Sequence, residues 1–297
     1  MVWWDRLVSL PKALFWLVLI AVILQQVYGA NRPEIARTQL LDRFQQERKS
    51  RVIALIHRQD TVTLFGVPVS SSISIEDSEA VLRAIRLTPE NQPIDVILHT
   101  PGGLVLAAEQ IAKALIQRKA KVTAFVPHYA MSGGSLIALA ADEIVMDPNA
   151  VLGPVDPQVG SMPAASIVKI LTMKKPENID DDTLILADVA AKARTQVGTF
   201  VAEVLTKHLP KPKAVALATT LSDGRWTHDF PITVEMAKGL GLPVTTDMPR
   251  TVYDLMDLYP QGGRGRPSVL YVPLRPSLPE RGESAPTAPV NPPSGAK

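Results

Sequence analysis

The chain has 297 residues, a formal net charge of +2 and 46% hydrophobic residues, which suits one sizeable core with appendages. A charge so close to neutral supplies no basic field for nucleic acid, and no such partner is expected. The absence of cysteine excludes disulfides, thiolate catalysis and cysteine-ligated zinc, and leaves the redox compartment open.

The first element is "ALFWLVLIAVILQQVYGA", Ala13 to Ala30, mostly apolar and uncharged between Lys12 and Arg32. Eighteen residues at a helical rise of ~1.5 Å reach roughly 27 Å, close to the hydrocarbon thickness of a bilayer. Trp3, Trp4, Trp16 and Tyr28 supply interfacial aromatics, although Gln25 and Gln26 weaken the far end. No small-x-small cleavage site follows, and the run is long for a signal peptide. Residues 1–30 are therefore read as a retained single-pass anchor. Basic residues crowd the far side (Arg32, Arg37, Arg43, Arg48, Lys49, Arg51) against Arg6 and Lys12 before the span. The positive-inside rule would keep the C-terminal body in the cytoplasm.

Ile35, Leu40, Leu41 and Phe44 recur at helical spacing amid charges, predicting a linker helix within 31–50 that could offer a face to a partner. Arg51–Gln59 reads as a buried strand. Asp77 is a good N-cap for a helix carrying Val81, Leu82 and Ile85 on one face, broken at Pro89–Pro93. Ile94–Thr100 is a strand, "PGG" at 101–103 a turn, Leu104–Lys119 an amphipathic helix and Lys121–Pro127 a strand. Ser132 then forms a corner before an Ala-rich buried helix, and Glu143–Pro148 is a short strand. Strand, turn and helix in alternation mark parallel βα units.

After Gly153 a proline-rich loop leads to a helix at Ala164–Thr172. Asp180–Asp182 cap a long helix to about Leu209, and shorter helices follow at Lys213–Leu221 and Val234–Leu240. The folded body is expected over 51–260. Residues 261–297, rich in proline, serine and small residues from Leu274 onward, read as a disordered tail.

Ligands of such sheets sit outside the carboxyl ends of the strands. The glycine-rich turns at Gly102–Gly103 and Gly133–Gly134 both follow strands. If those strands are parallel neighbours, the turns lie side by side and Ser132 stands in a cleft. A serine hydroxyl needs a base to become a nucleophile and donors for the oxyanion it creates. The Gly133 N–H and the start of the following helix supply one donor. The bare backbone at Gly102 and Gly103 can supply another, each worth about 3 kcal/mol of barrier. Ala130 stands where the G-x-S-x-G elbow has glycine, and a closely packed βα turn would read the same from spacing alone. No metal-ligand spacing, phosphate loop or dinucleotide fingerprint appears, so no cofactor or metal is expected.

"HTPGGLVLAAEQIAKAL", "AMSGGSLIALAADEIVMDPNAVLGPVDPQ" and "LSDGRWTHDFPITVEMAKGLGL" at 221–242 resemble the signal peptide peptidase A class within the ClpP/crotonase fold. They are most similar to its membrane-anchored branch, the serine dehydrogenase proteinases. The resemblance covers about Arg51 to Leu242. It implies an α/β fold of repeated ββα units with a mostly parallel sheet and a helical C-terminal part. It also implies a serine endopeptidase acting on peptides or membrane proteins, and a homo-oligomer.

ClpP-type enzymes order serine, histidine and aspartate along the chain, but no histidine lies between His128 and His208. The resemblance therefore implies a Ser–Lys dyad, with the lysine roughly forty to fifty residues after the serine, where Lys174 and Lys175 stand. Lys175 precedes Pro176, which favours an extended segment able to reach a cleft, and adjacent lysines lower each other's pKa. A solvated charged loop explains the same residues equally well. Lys169 and Lys192 are weaker candidates. His99 and His128 could line the cleft but suit structural roles better, and His228–Asp229 is a further base with an orienting carboxylate. Asp142, Glu143, Asp147 and Asp156 read as strand-end and turn residues. Two other functions fit the residues: a non-catalytic membrane scaffold, and crotonase-like acyl-CoA chemistry with a carboxylate base.

Overall fold

A computed structural model describes residues 15–19, 33–57, 62–64, 67–69 and 72–259. Most of Ala13–Ala30 and all of the expected tail at 261–297 lie outside them. No helix among the described residues is long and apolar enough to cross a membrane.

Residues 33–48 form helix α1. It runs into strand β1 (Arg51–Ile56), and two short strands, β2 (Val62–Leu64) and β3 (Val67–Val69), form an antiparallel pair. Helix α2 (Ile75–Arg86) begins earlier than the sequence suggests. Ser74 is its N-cap and Asp77 its third residue, each side chain bonding the other's backbone in a capping box. Strand β4 (Ile94–His99), helix α3 (Val105–Ile116), strand β5 (Val122–Val126), strand β6 (Tyr129–Ala130), helix α4 (Gly133–Leu139) and strand β7 (Glu143–Met146) follow. Short strands β8 (Val151–Leu152), β9 (Gln158–Val159) and β10 (Met162–Pro163) lead to helices α5 (Ala164–Met173), α6 (Asp181–Leu205), α7 (Lys211–Ser222) and α8 (Val234–Gly239). Strand β11 (Val244–Thr245) and helix α9 (Arg250–Asp257) end the described chain.

The main sheet has the order β1-β4-β5-β7-β11, and every pairing is parallel. β4 is buried at all six residues, as expected for a strand covered on both faces. Strand order follows chain order, so right-handed crossovers put the connecting helices on one face. There Ile53, Val96, Ala124 and Ile144 pack with Ile111, Leu136 and Val201 in the large core. Alternate residues point the other way, and Ile97, Phe125 and Val145 meet Phe44 of α1 and Val252 and Leu255 of α9.

Leu40, Leu41 and Phe44 of the expected α1 face are thus spent on the chain's own sheet, while Ile35 stays 55% exposed. Two contacts fix α1. The Arg37 guanidinium donates to the Leu258 carbonyl at 2.9 and 2.6 Å and lies 4.0 Å from the Tyr259 ring centroid. Arg48 Nε and Ser50 Oγ donate to buried Asp95 at 2.8 and 2.7 Å. Away from the sheet, the first half of α6 packs on α5 through Ala164, Ile167, Ala187 and Ala190.

Candidate active site

β4 and β5 are parallel neighbours, so the two glycine turns do sit side by side at the carboxyl edge. Thr100, just past β4, pairs with Ala130 of β6, and the Met131 N–H donates to the Thr100 carbonyl at 3.0 Å. The chain then turns at Ser132, whose φ of 51° and ψ of −118° belong to the first central position of a type II′ turn, ordinarily a glycine position. The Gly134 N–H closes that turn on the Met131 carbonyl at 2.7 Å. A non-glycine residue in such a conformation costs of order 1–3 kcal/mol and persists only where its surroundings fix it. As the N-cap of α4, Ser132 would ordinarily cap with its hydroxyl, yet it makes no side-chain cap bond. The side chain is half-buried and lines a cleft of about 350 Å³.

The neighbouring turn is pressed against this corner. A Cβ added to Gly102 would stand 2.7 Å from the Ser132 Cβ, and one added to Gly133 would stand 3.8 Å from the Gly103 nitrogen. No hydrogen bond among the described residues engages the N–H of Gly103 or Gly133, and both glycines line the cleft. With only seven residues in α4, these two donors, rather than a helix dipole, carry the case for an oxyanion hole.

The same cleft is also lined by Asp156, in the loop after β8, and His228, between α7 and α8. His228 Nδ1 is 2.8 Å from Asp156 Oδ1, and Gln158 Nε2 donates to Asp156 Oδ2 at 2.8 Å. The Asp156 side chain is only 3% exposed. Its hydrogen bond raises the His228 pKa above the usual histidine value, against the opposing pull of burial. With Nδ1 bonded to the carboxylate, Nε2 is the imidazole nitrogen left for other work.

Lys174 and Lys175 stand elsewhere. Lys174 is the C-cap of α5, and Lys175 is extended before Pro176 as its position predicts. Both are exposed and neither lines the cleft. Lys169 borders a separate hollow with Arg194 and Asp223, and Lys192 pairs with Asp188 at 2.5 Å. Buried His99 stacks on exposed His128 at 5.7 Å. A larger groove of about 880 Å³ lies between α6 and α7, lined largely by Ala, Gly and Thr. It holds no serine–histidine pair. No group of three or more His, Asp or Glu among the described residues is arranged to hold a metal.

A family model described as the ClpP-like SDH-type serine proteinases matches residues 1–286. The chain belongs to that family. This proteinase is 54% identical over 264 residues to the Methanocaldococcus jannaschii protein MJ0137, covering 89% of this chain and 92% of the relative. It is 50% identical over 270 residues to MJ1495 of the same organism, covering 91% and 92%. Among solved structures, ClpP1 from Listeria monocytogenes is similar over 69% of this chain and 96% of its own, at 17% identity and a TM-score of 0.45. The family makes this chain a serine peptidase in general terms.

Sequence reasoning missed Asp156. A carboxylate between Val155 and Pro157 in a loop of prolines and glycines was a signal, because such a group is seldom buried without a task. Its partner, 72 residues away, leaves no local trace.

Proposed function

We propose that this proteinase cleaves peptide bonds with Ser132 as nucleophile, the N–H groups of Gly103 and Gly133 as oxyanion donors, and His228 oriented by Asp156 as general base. The observation that carries the reading is one cleft lined by all five residues. Ser132 Oγ attacks the peptide carbonyl while His228 Nε2 takes the hydroxyl proton, and the carbonyl oxygen becomes an anion held by the two N–H groups. The imidazolium returns the proton to the leaving amine, freeing an acyl-serine that water hydrolyses by the same path. Asp156 keeps the Nδ1 tautomer and stabilises the imidazolium. The order Ser, Asp, His along the chain is one of several that support such a triad.

The apolar stretch Ala13–Ala30 supports a single membrane span before the body, and helical Phe15, Trp16, Leu17 and Val18 are all exposed. Peptides or membrane proteins are then the substrates, and assembly of several copies is the expected state.

The test is labelling with a fluorophosphonate and turnover of a fluorogenic peptide by the full chain in detergent. Ser132→Ala should abolish both, and His228→Gln should lower turnover by at least about a thousandfold. Lys174→Ala and Lys175→Ala should stay near wild type. Loss in either lysine variant with retention in His228→Gln would return the Ser–Lys dyad instead. Full turnover in Ser132→Ala would remove Ser132 as the nucleophile, and a wild-type chain that neither labels nor turns over peptide would leave the scaffold or acyl-CoA alternatives.

A further inference from the structure

Two glycines in succession make a turn of great freedom, yet an oxyanion donor must be held within a few tenths of an ångström. The structure contains a device that resolves this. A peptide unit is planar and trans, so fixing its C=O fixes the direction of its N–H. The unit joining Gly102 to Gly103 is held by its carbonyl, which accepts the Ile73 N–H at 2.7 Å. The Gly103 N–H must then point the opposite way. The Ile73 carbonyl in turn accepts the Leu104 N–H at 2.9 Å, closing a bracket around Gly103.

The preceding unit, joining Pro101 to Gly102, is held from the other side. Its N–H donates to buried Thr100 Oγ1 at 3.1 Å. Thr100 Oγ1 is 2.7 Å from His57 Nδ1, and His57 Nε2 is 3.3 Å from Asp77 Oδ2. Thr100 Oγ1 is 2.7 Å from Nδ1 but 3.4 Å from the Gly102 carbonyl oxygen, and an imidazole that gives its one N–H from Nε2 to the Asp77 carboxylate has Nδ1 as acceptor for the Thr100 hydroxyl. The Gly102 N–H donates to Thr100, Thr100 donates to Nδ1, and Nε2–H donates to Asp77. Asp77 also accepts the Ser74 N–H at 2.8 Å, and Ser74 follows Ile73. The chain of bonds therefore closes on itself: Gly102, Thr100, His57, Asp77, Ser74, Ile73 and back to Gly102. Both peptide planes flanking Gly102, at φ of 102°, are fixed by that ring.

We propose that His57 and Thr100 are positioning residues for the oxyanion hole, acting through Gly102 to aim the Gly103 N–H into the cleft beside Ser132. The proposal rests on the peptidase reading above. It assigns work to a buried histidine that the catalytic steps do not use, contributed by the end of β1 rather than by either catalytic turn.

The test compares His57→Ala and Thr100→Val with the conservative pair His57→Gln and Thr100→Ser in the full chain. Turnover is expressed per site titrated with fluorophosphonate, and amide exchange is followed over the peptide spanning 101–104. The disruptive variants should lose about tenfold or more in kcat with KM unchanged, and exchange at the turn should quicken. A glutamine can accept from Thr100 and donate to Asp77, and a serine keeps the hydroxyl, so both conservative variants should recover most of the rate. If His57→Ala fails to fold, Thr100→Val decides. Unchanged kcat per titrated site in a disruptive variant, or no recovery in its conservative counterpart, overturns the proposal. Wild-type turnover in a Ser132→Ala control would instead remove Ser132 as the nucleophile, and exchange over 101–104 would still report whether His57 holds the turn.

Discussion

Replacing Gly102 by alanine puts the geometry of the cleft under direct strain. The residue has φ of 102°, where a side chain costs of order 1–3 kcal/mol. The new methyl would also stand 2.7 Å from the Ser132 Cβ, 2.9 Å from the Met131 carbonyl oxygen and 3.2 Å from the Gly133 nitrogen. Two of those neighbours are backbone in a hydrogen-bonded turn, so relief requires moving the turn, at about 1–3 kcal/mol for overpacking. Together these give roughly 2–6 kcal/mol, or a fall in Tm of about 4–24 °C for a body of this size. The displaced group is Ser132 itself, and a shift near 1 Å costs about a hundredfold in rate. Calorimetry and the second-order rate of fluorophosphonate labelling read the two effects separately. A variant with wild-type Tm and wild-type labelling would show that the two turns do not meet as described.

Ser132→Gly should abolish labelling yet raise Tm by roughly 2–4 °C, the net of released backbone strain and the freedom a glycine adds to the unfolded chain; a lower Tm would deny the strain. Asp156→Asn removes the main cause of the raised His228 pKa, so the acidic limb of the pH–rate profile should move to lower pH while the plateau falls by about 10⁴-fold. Because the folded pKa lies above the ordinary 6.5, the charged pair stabilises the fold fully below that value. Its contribution disappears as pH rises through the raised pKa, and urea midpoints across that interval should lose this slope in Asp156→Asn. Asp95→Ala leaves Arg48, at the end of α1, and Ser50 without their shared partner and should cost roughly 2–4 kcal/mol, less than a fully buried pair because the Arg48 side chain is 36% exposed; an unchanged denaturation midpoint would contradict that contact.

The parallel sheet was legible because β4 and β5 are short, mostly apolar runs, β4 starting just after Pro93 and β5 ending just before Pro127, and α3 and α6 carry helical periods long enough to outweigh local ambiguity. The convergence of Ser132 with Gly102 and Gly103 followed from the rule for strand carboxyl ends. What escaped was whatever is decided by contacts distant in sequence. Strand β11 has two residues and joins the sheet only because β7 offers it an edge. The N-cap of α2 was misplaced because Asp77 and Ser74 both suit the role, and the capping box uses both. The lysines were sought by spacing from the serine and His228 by its neighbour Asp229, whereas the carboxylate that meets His228 is Asp156, 72 residues away and brought there by the fold.

One consequence concerns biosynthesis. The sheet face bearing Ile97, Phe125 and Val145 is sealed by two helices from opposite ends of the described chain, tied by a contact spanning 221 residues between Arg37 and Leu258. A ribosome adding about 5–20 residues per second needs roughly 10–45 s to cross that interval. Throughout it, the first helix has emerged and its companion has not, so a greasy flank of the nascent body stays unsealed until translation is almost through the last described helix.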